Sequence, residues 1–285
     1  MKLETKKISG LPPEATYLLK IVATSGALDA GGWIGGGFAR QIAHHVLLKE
    51  KDHDEWMTYL SPDNRYGTTR PGDVDVFLPK KTTKFDDEIA KLQNSFAGFA
   101  KNMKLYGKGK EFPGSTTIQF ITDPAFRYDS VADCLQAFDL YNSRYALVYI
   151  DSGRFVLHWD PKALEVDRMK RVSIVQTKSP FLGSRVLKYI QNRGCTNGID
   201  PESHELMLQW LIRAGTDAWP DTFAKQHIDG VKNQVIKLRD AGHIEADALA
   251  LFINKWTIQV KTGSGYQALY KEVDWAMDQI EKAAE

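Results

Sequence analysis

Apolar residues in the first part of this chain recur with two different periods, and in the rest with only one. Up to residue 178, short strand-like runs such as GDVDVFL (72–78), STTIQFIT (115–122) and RFVLHW (154–159) alternate with stretches whose apolar residues return every third or fourth position. Strand side chains alternate faces, whereas a helix returns to one face about every 3.6 residues, so this part must build a sheet with helices packed on it. From Ser179 onward the strand pattern stops. SPFLGSRVLKYIQNRG, PESHELMLQWLIRAG, PDTFAKQHIDGVKNQVIKLRDAG, HIEADALALFINKWTIQV and GYQALYKEVDWAMDQIEKAA carry helical spacing alone, bounded by Pro or Gly. The pattern predicts an α/β (α+β) chain: a small mixed sheet with flanking helices over 1–178, then an all-helical region over 179–285.

Within the first part, PEATYLLKIVAT (13–24) predicts a helix that Pro12 and Pro13 start and that stops near Gly26. A short extended piece then ends at Ile34, glycines occupy 35–37, and Phe38, Ile42 and Val46 continue at helical spacing. This reads as strand, glycine turn, helix. Residues 50–72 are polar and read as a loop leading into GDVDVFL. Phe85, Ile89, Leu92, Phe96, Phe99 and Met103 mark an amphipathic helix. The strand STTIQFIT follows, then a short helix DSVADCLQAF. DLYNSRYALVYI is read as a strand turning at Asp151–Gly153 into RFVLHW, then ALEVDRMKR as a helix and VSIVQT as a last short strand.

Charge and cysteine usage narrow the function classes. With 37 basic and 36 acidic residues the net charge is +1, so no global field draws a polyanion. The 2 cysteines, Cys134 and Cys195, lie far apart and outside any CxxC or Cys/His cluster, which argues against structural zinc and for reduced thiols in a cytoplasmic setting. No stretch has the apolar length of a membrane span or the form of a cleaved leader, so a soluble protein with no membrane association is expected.

The chemistry-bearing residues cluster before residue 140. Asp73 and Asp75 alternate along a strand and therefore share a face, where two carboxylates raise each other's pKa unless a cation lies between them. Taken alone they equally suit a solvated edge strand. The glycine turn lacks the Gly-Lys-Ser/Thr ending of a P-loop and the GxGxxG spacing of a dinucleotide fold. Its glycines still let a backbone approach a ligand closely, and the amides opening the next helix favour an anion.

A Gly-Gly turn opening a helix, at Gly36–Gly37, followed by a strand with Asp73-Val74-Asp75, resembles the polymerase-beta-type nucleotidyltransferase superfamily. The resemblance implies a small mixed sheet with helices, and a third carboxylate on a later strand. Asp123, Asp151 and Asp160 have turn or capping explanations, whereas Asp139, between Phe138 and Leu140, has the context of a residue projected from a strand and is chosen. TIQFITD, then QAFDLYNSRYAL, then SPFLGSRVLKYIQNRG look like a group of nucleotidyltransferases encoded by large tailed phages, over about residues 25–195. One departure is the long stretch between Gly37 and Asp73, which requires an insertion at 50–72.

The resemblance implies a transferase that moves a nucleoside monophosphate from an NTP such as ATP to a hydroxyl of RNA (tRNA for instance), a protein or a small molecule, releasing pyrophosphate. Asp73, Asp75 and Asp139 would hold two Mg²⁺ ions, with Mn²⁺ as a substitute. Gly36 and Gly37 would contact the phosphates through backbone amides. Arg40, and Arg185 with Lys188 on one helix face, are the basic candidates for the nucleotide; each is equally read as a solvated surface cation. His44 and His45 face different directions and are read as structural, as are Tyr189 and the tail tryptophans Trp210, Trp219, Trp256 and Trp275. If phage-encoded, the protein would act in the host cytoplasm. The alternative is a non-catalytic nucleotide- or partner-binding module on the same fold.

Overall fold

Strand β3 (Asp73–Phe77) lies where the sheet of this protein changes from antiparallel to parallel pairing. The computed structural model describes residues 1–49, 73–82, 103–106, 110–111, 117–121, 124–151, 153–179, 182–207, 209–210 and Gly242. Two compact units divide the chain, Met1–Arg168 and Met169–Glu285.

The first unit holds a mixed sheet of 8 strands in the order β1-β8-β7-β2-β3-β6-β4-β5. Besides β3 these are β1 (Glu4–Lys7), β2 (Trp33–Gly35), β4 (Met103–Tyr106), β5 (Lys110–Glu111), β6 (Thr117–Ile121), β7 (Tyr145–Asp151) and β8 (Arg154–Trp159). β3, β6 and β4 run parallel; every other pairing is antiparallel. Helices α1 (Pro13–Thr24), α2 (Gly37–Ala43, continued as a π-helical turn over His44–Leu48), α3 (Val131–Gln136) and α4 (Pro161–Arg168) complete it.

Alternation along the strands sorts the two faces. Val74 and Val76 of β3 are fully buried and join Ile34, Phe120, Tyr145 and Leu147 against Leu18 and Val22 of α1 and Phe38 and Ile42 of α2. Each such aliphatic burial is worth about 1.5–3 kcal/mol. On the other face Trp33, Phe77, Ile121 and Ala146 pack with Cys134 and Leu135 of α3 and with Phe138. Asp75 alternates with the valines and so belongs to the α3 face. α3 starts at Ser130, whose Oγ accepts the Asp133 N–H at 3.2 Å, a cap worth about 1 kcal/mol.

The expected strand over DLYNSRYALVYI is shorter than its propensity suggests. Tyr141–Ser143 form a 3-10 turn and β7 begins only at Tyr145. Buried polar bonds decide this: Asn142 donates to Asp167 at 2.7 Å, and Arg144 to Asp160 at 3.0 Å. Met103, read as the end of a helical stripe, instead opens β4 beside Ile118 of β6. The backbone edge of β6 needs hydrogen-bond partners, and that tertiary pairing outweighs local spacing. β1 was not anticipated at all: its four residues ETKK are all exposed and carry no apolar period, as suits a lysine-bearing edge strand.

In the second unit VSIVQT forms no sheet strand. Val172 bridges Ile199, donating to the Gly198 carbonyl and accepting from the Asp200 N–H, both at 2.8 Å. Helix α5 (Leu182–Asn192) buries Leu182, Val186 and Tyr189. Trp210 is buried and donates to the Ser179 carbonyl at 2.8 Å. The expected loop at 50–72, helix from Phe85 to Phe99 and tail helices beyond residue 210, with Trp219, Trp256 and Trp275, lie outside the described residues. Among the described residues no helix is long and apolar enough to cross a membrane.

Candidate active site

The turn from β2 into α2 is built from backbone alone. Gly35 stands in register opposite Asp75 on one side and Ala146 on the other. A Cβ on Gly35 would meet the Phe77 ring at 2.9 Å and the Phe138 ring at 3.5 Å, so the glycine is required for those rings to close over it. Gly36 has φ +74 and ψ −138, a region that residues with a Cβ rarely enter. A Cβ there would lie 3.6 Å from Asp75 Oδ2, so the turn runs bare past this carboxylate.

Of the two glycines expected to offer amides to phosphates, Gly36 does not have its N–H available. That N–H donates to the Tyr145 carbonyl at 3.2 Å and stitches the turn to β7. Gly36 therefore contributes shape and Gly37 the first residue of the helix.

Asp75 is half-buried on the α3 face, beside Gln119 of β6 in register. Asp73 begins the same strand opposite Thr117. Its side chain lies outside the described residues. Asp139 is buried, 5% exposed, in the bend between α3 and the 3-10 turn and not on a strand as expected. Its neighbour Phe138 packs edge-on against Phe77, ring centroids 5.7 Å apart, and it is this contact that brings the Phe138-Asp139 pair to the face carrying Asp75. Among the described residues no three His, Cys, Asp or Glu side chains form a metal-binding group.

The Cys134 thiol lies under the same face. Burial pushes it up to about 12; the Trp33 indole N–H beside it works the other way, and the negative charge of Asp75 raises it further. Cys134 is thus a protonated packing residue whose titration registers the Asp75 carboxylate nearby.

Arg40 occupies a different place from the one its sequence position suggests. Its guanidinium is buried, and Nε and Nη2 donate to Asp167 at 2.9–3.1 Å. Asp167, fully buried on α4, also accepts from Asn142 at 2.7 Å and Tyr145 Oη at 2.7 Å, and meets His44 Nε2 at 3.0 Å. Burial alone would push the Asp167 carboxyl up, but the Arg40 charge, with His44, outweighs it and holds the group well below the usual carboxylate range. Four chain segments converge on this one side chain. Two of them flank the candidate site, since Arg40 follows the Gly36 turn and Asn142 follows Asp139. Sequence reasoning passed over Asp167 because ALEVDRMKR shows it only as one acidic residue of an ordinary helix.

Arg185 and Lys188 are both on the exposed side of α5, in the second unit. The structure thus gathers Gly35, Gly36, Asp75 and the Phe138-Asp139 pair on one face of the first unit, and assigns Arg40 to the buried frame around them. Comparison of the chain with protein-family profiles, with curated proteins and with solved structures finds no match.

Proposed function

We propose that this chain is a metal-dependent nucleotidyltransferase that moves a nucleoside monophosphate from an NTP such as ATP onto a hydroxyl of an RNA, a protein or a small molecule. One observation carries the reading: the Asp75 carboxylate stands against the bare Gly36 turn, directly across the sheet from Gly35. A carboxylate beside a backbone with no side chain leaves a polyphosphate room to approach. The donors on Asp73, Asp75 and Asp139 are carboxylate oxygens, the hard ligands Mg²⁺ prefers, so the residues present suit that ion or Mn²⁺. When bound, the ions supply positive charge against the triphosphate and ease loss of the acceptor proton.

Asp75 and Asp139 fix where that charge sits, and Gly36–Gly37 let the phosphates lie close to the chain. In the transfer the acceptor oxygen bonds to the α-phosphorus while the bond from that phosphorus to the bridging oxygen breaks. Pyrophosphate leaves with the electron pair and the acceptor proton passes to water. Arg185 and Lys188 are assigned to the phosphates of the nucleotide or of an RNA acceptor. Arg40, ion-paired within the fold, is not.

The test is incubation with each α-labelled NTP and Mg²⁺, with and without tRNA or a protein acceptor. Wild type is expected to form a labelled product and Asp75→Asn none, with stability changed by less than about 1 kcal/mol. Absence of transfer by wild type under every condition, or full activity in the Asn variant, would overturn the reading.

A further inference from the structure

Gln41 is the one residue of α2 whose side chain is polar, buried and left with nothing to bond. It is 4% exposed, and among the described residues neither its Nε2 nor its Oε1 meets a hydrogen-bond partner. A buried carboxamide without partners forfeits the hydration of both ends, so a residue of this kind is retained where something else completes it. Its helical neighbours do not. Gly37, four residues before, has no side chain and Phe38 is apolar. His44 is turned to Asp167 at 3.0 Å, and His45, four residues on, to the Gly10 carbonyl at 3.3 Å.

Helix geometry indicates where the carboxamide lies. Side chains on a helix lean toward its N-terminus and cover the turn before them, so the Gln41 side chain extends back over the bare Gly37. Gln41 stands only about 6 Å along the axis from Gly37, at ~1.5 Å per residue, and the Gly36 turn touches Asp75. That is within the length of a nucleotide whose phosphates lie at the turn.

The chemistry of the amide selects the ligand group. Nε2 donates and Oε1 accepts, side by side on one planar group. A phosphate or carboxylate oxygen would satisfy Nε2 and leave Oε1 facing a like charge; an ammonium would do the reverse. A vicinal diol satisfies both, one hydroxyl accepting from Nε2 and its neighbour donating to Oε1, and it is small enough for a nearly closed space. Resting on the transferase reading above, we infer that Gln41 binds the ribose 2′,3′-diol of the nucleoside triphosphate and makes the protein select ribonucleotides over deoxyribonucleotides.

Calorimetric titration of the full chain with each of the four NTPs and its 2′-deoxy counterpart, in Mg²⁺, tests this, alongside Gln41→Met. Wild type is expected to bind the cognate ribonucleotide about fivefold or more tighter than the deoxy form. In Gln41→Met the two forms bind alike, and the thermal transition stays level or rises, because an unpartnered amide has been replaced by an apolar side chain of similar length. Triphosphate binding without sugar preference overturns the role of Gln41 and leaves the transferase reading standing. A preference that survives in the Met variant does the same, as does a raised transition with no change in preference, which marks a buried water as the partner of Gln41. Failure of wild type to bind any triphosphate overturns both. The wild-type ratio needs no variant, so the test holds even where Gln41→Met fails to fold.

Discussion

Replacing Asp167 by Asn measures how much of the first unit depends on one buried carboxylate. The side chain is fully buried and takes hydrogen bonds at 2.7 Å from both Asn142 and Tyr145 besides the Arg40 contacts at 2.9–3.1 Å. Asn keeps the shape but has one acceptor oxygen, and its NH₂ is turned on groups that are themselves donors. The Arg40 guanidinium also loses its countercharge. Removing one partner of a buried ion pair costs about 3–5 kcal/mol, a large share of a total that is commonly about 5–15 kcal/mol. At about 2–4 °C per kcal/mol for a unit of this length, Tm falls by about 6–20 °C. Urea denaturation followed by circular dichroism reads the loss as a lower midpoint at unchanged slope.

The pH dependence gives the same experiment a second arm. The folded carboxyl of Asp167 lies below its ordinary value, so its contribution is complete above the unfolded pKa of about 3.9 and is lost as the pH falls through the folded value. The stability gap between wild type and Asp167→Asn is therefore constant from pH 8 to pH 5 and narrows only in acid below about pH 4. A variant within about 1 kcal/mol of wild type at pH 7 would show that the network is not stabilising. A gap that closes between pH 5 and pH 8 would assign the effect to some other titrating group.

Two glycines and a cysteine give further outcomes. Gly36→Ala forces a side chain onto φ +74 and should cost about 1–3 kcal/mol in urea denaturation; a neutral result would mean that the turn relaxes freely. Gly32→Ala should cost more, because its Cβ would meet the backbone oxygens of Ala27 at 2.7 Å and Phe77 at 2.9 Å, which cannot swing aside. Cys134, pushed up to about 12, should resist iodoacetamide at pH 8 in the native protein and react on unfolding, as peptide mass mapping reads; prompt native labelling would contradict its burial.

What the sequence disclosed followed from local periodicity. α1 falls on the very residues expected, Pro13–Thr24, because a proline start and an apolar stripe act within one turn of each other. β3 and β8 were legible for the same reason, each as a short run of strand formers. Elements decided by distant partners were not. β1 exists only because β8 offers an edge to its polar residues, and β4 only because β6 does. The strand before the hairpin was read too long because the bonds that curl Asn142 and Arg144 away come from α4 and from Asp160, which no local window contains.

Arg40 shows the same limit at the candidate site. Beside a glycine turn and followed by a helix it has the sequence context of a phosphate-binding cation, and nothing nearby announces its partner, which lies 127 residues on. The distance explains its role. By pairing with Asp167, Arg40 fixes the helix that leaves Gly36, while Asn142 and Tyr145 fix through the same carboxylate the segment that leaves Asp139. Tyr145 closes the circuit, because its carbonyl takes the Gly36 N–H while its hydroxyl takes Asp167. The Gly36 turn and the Phe138-Asp139 bend are thus tied to one buried anchor on α4. Any change that loosens that anchor must shift the turn and the bend together.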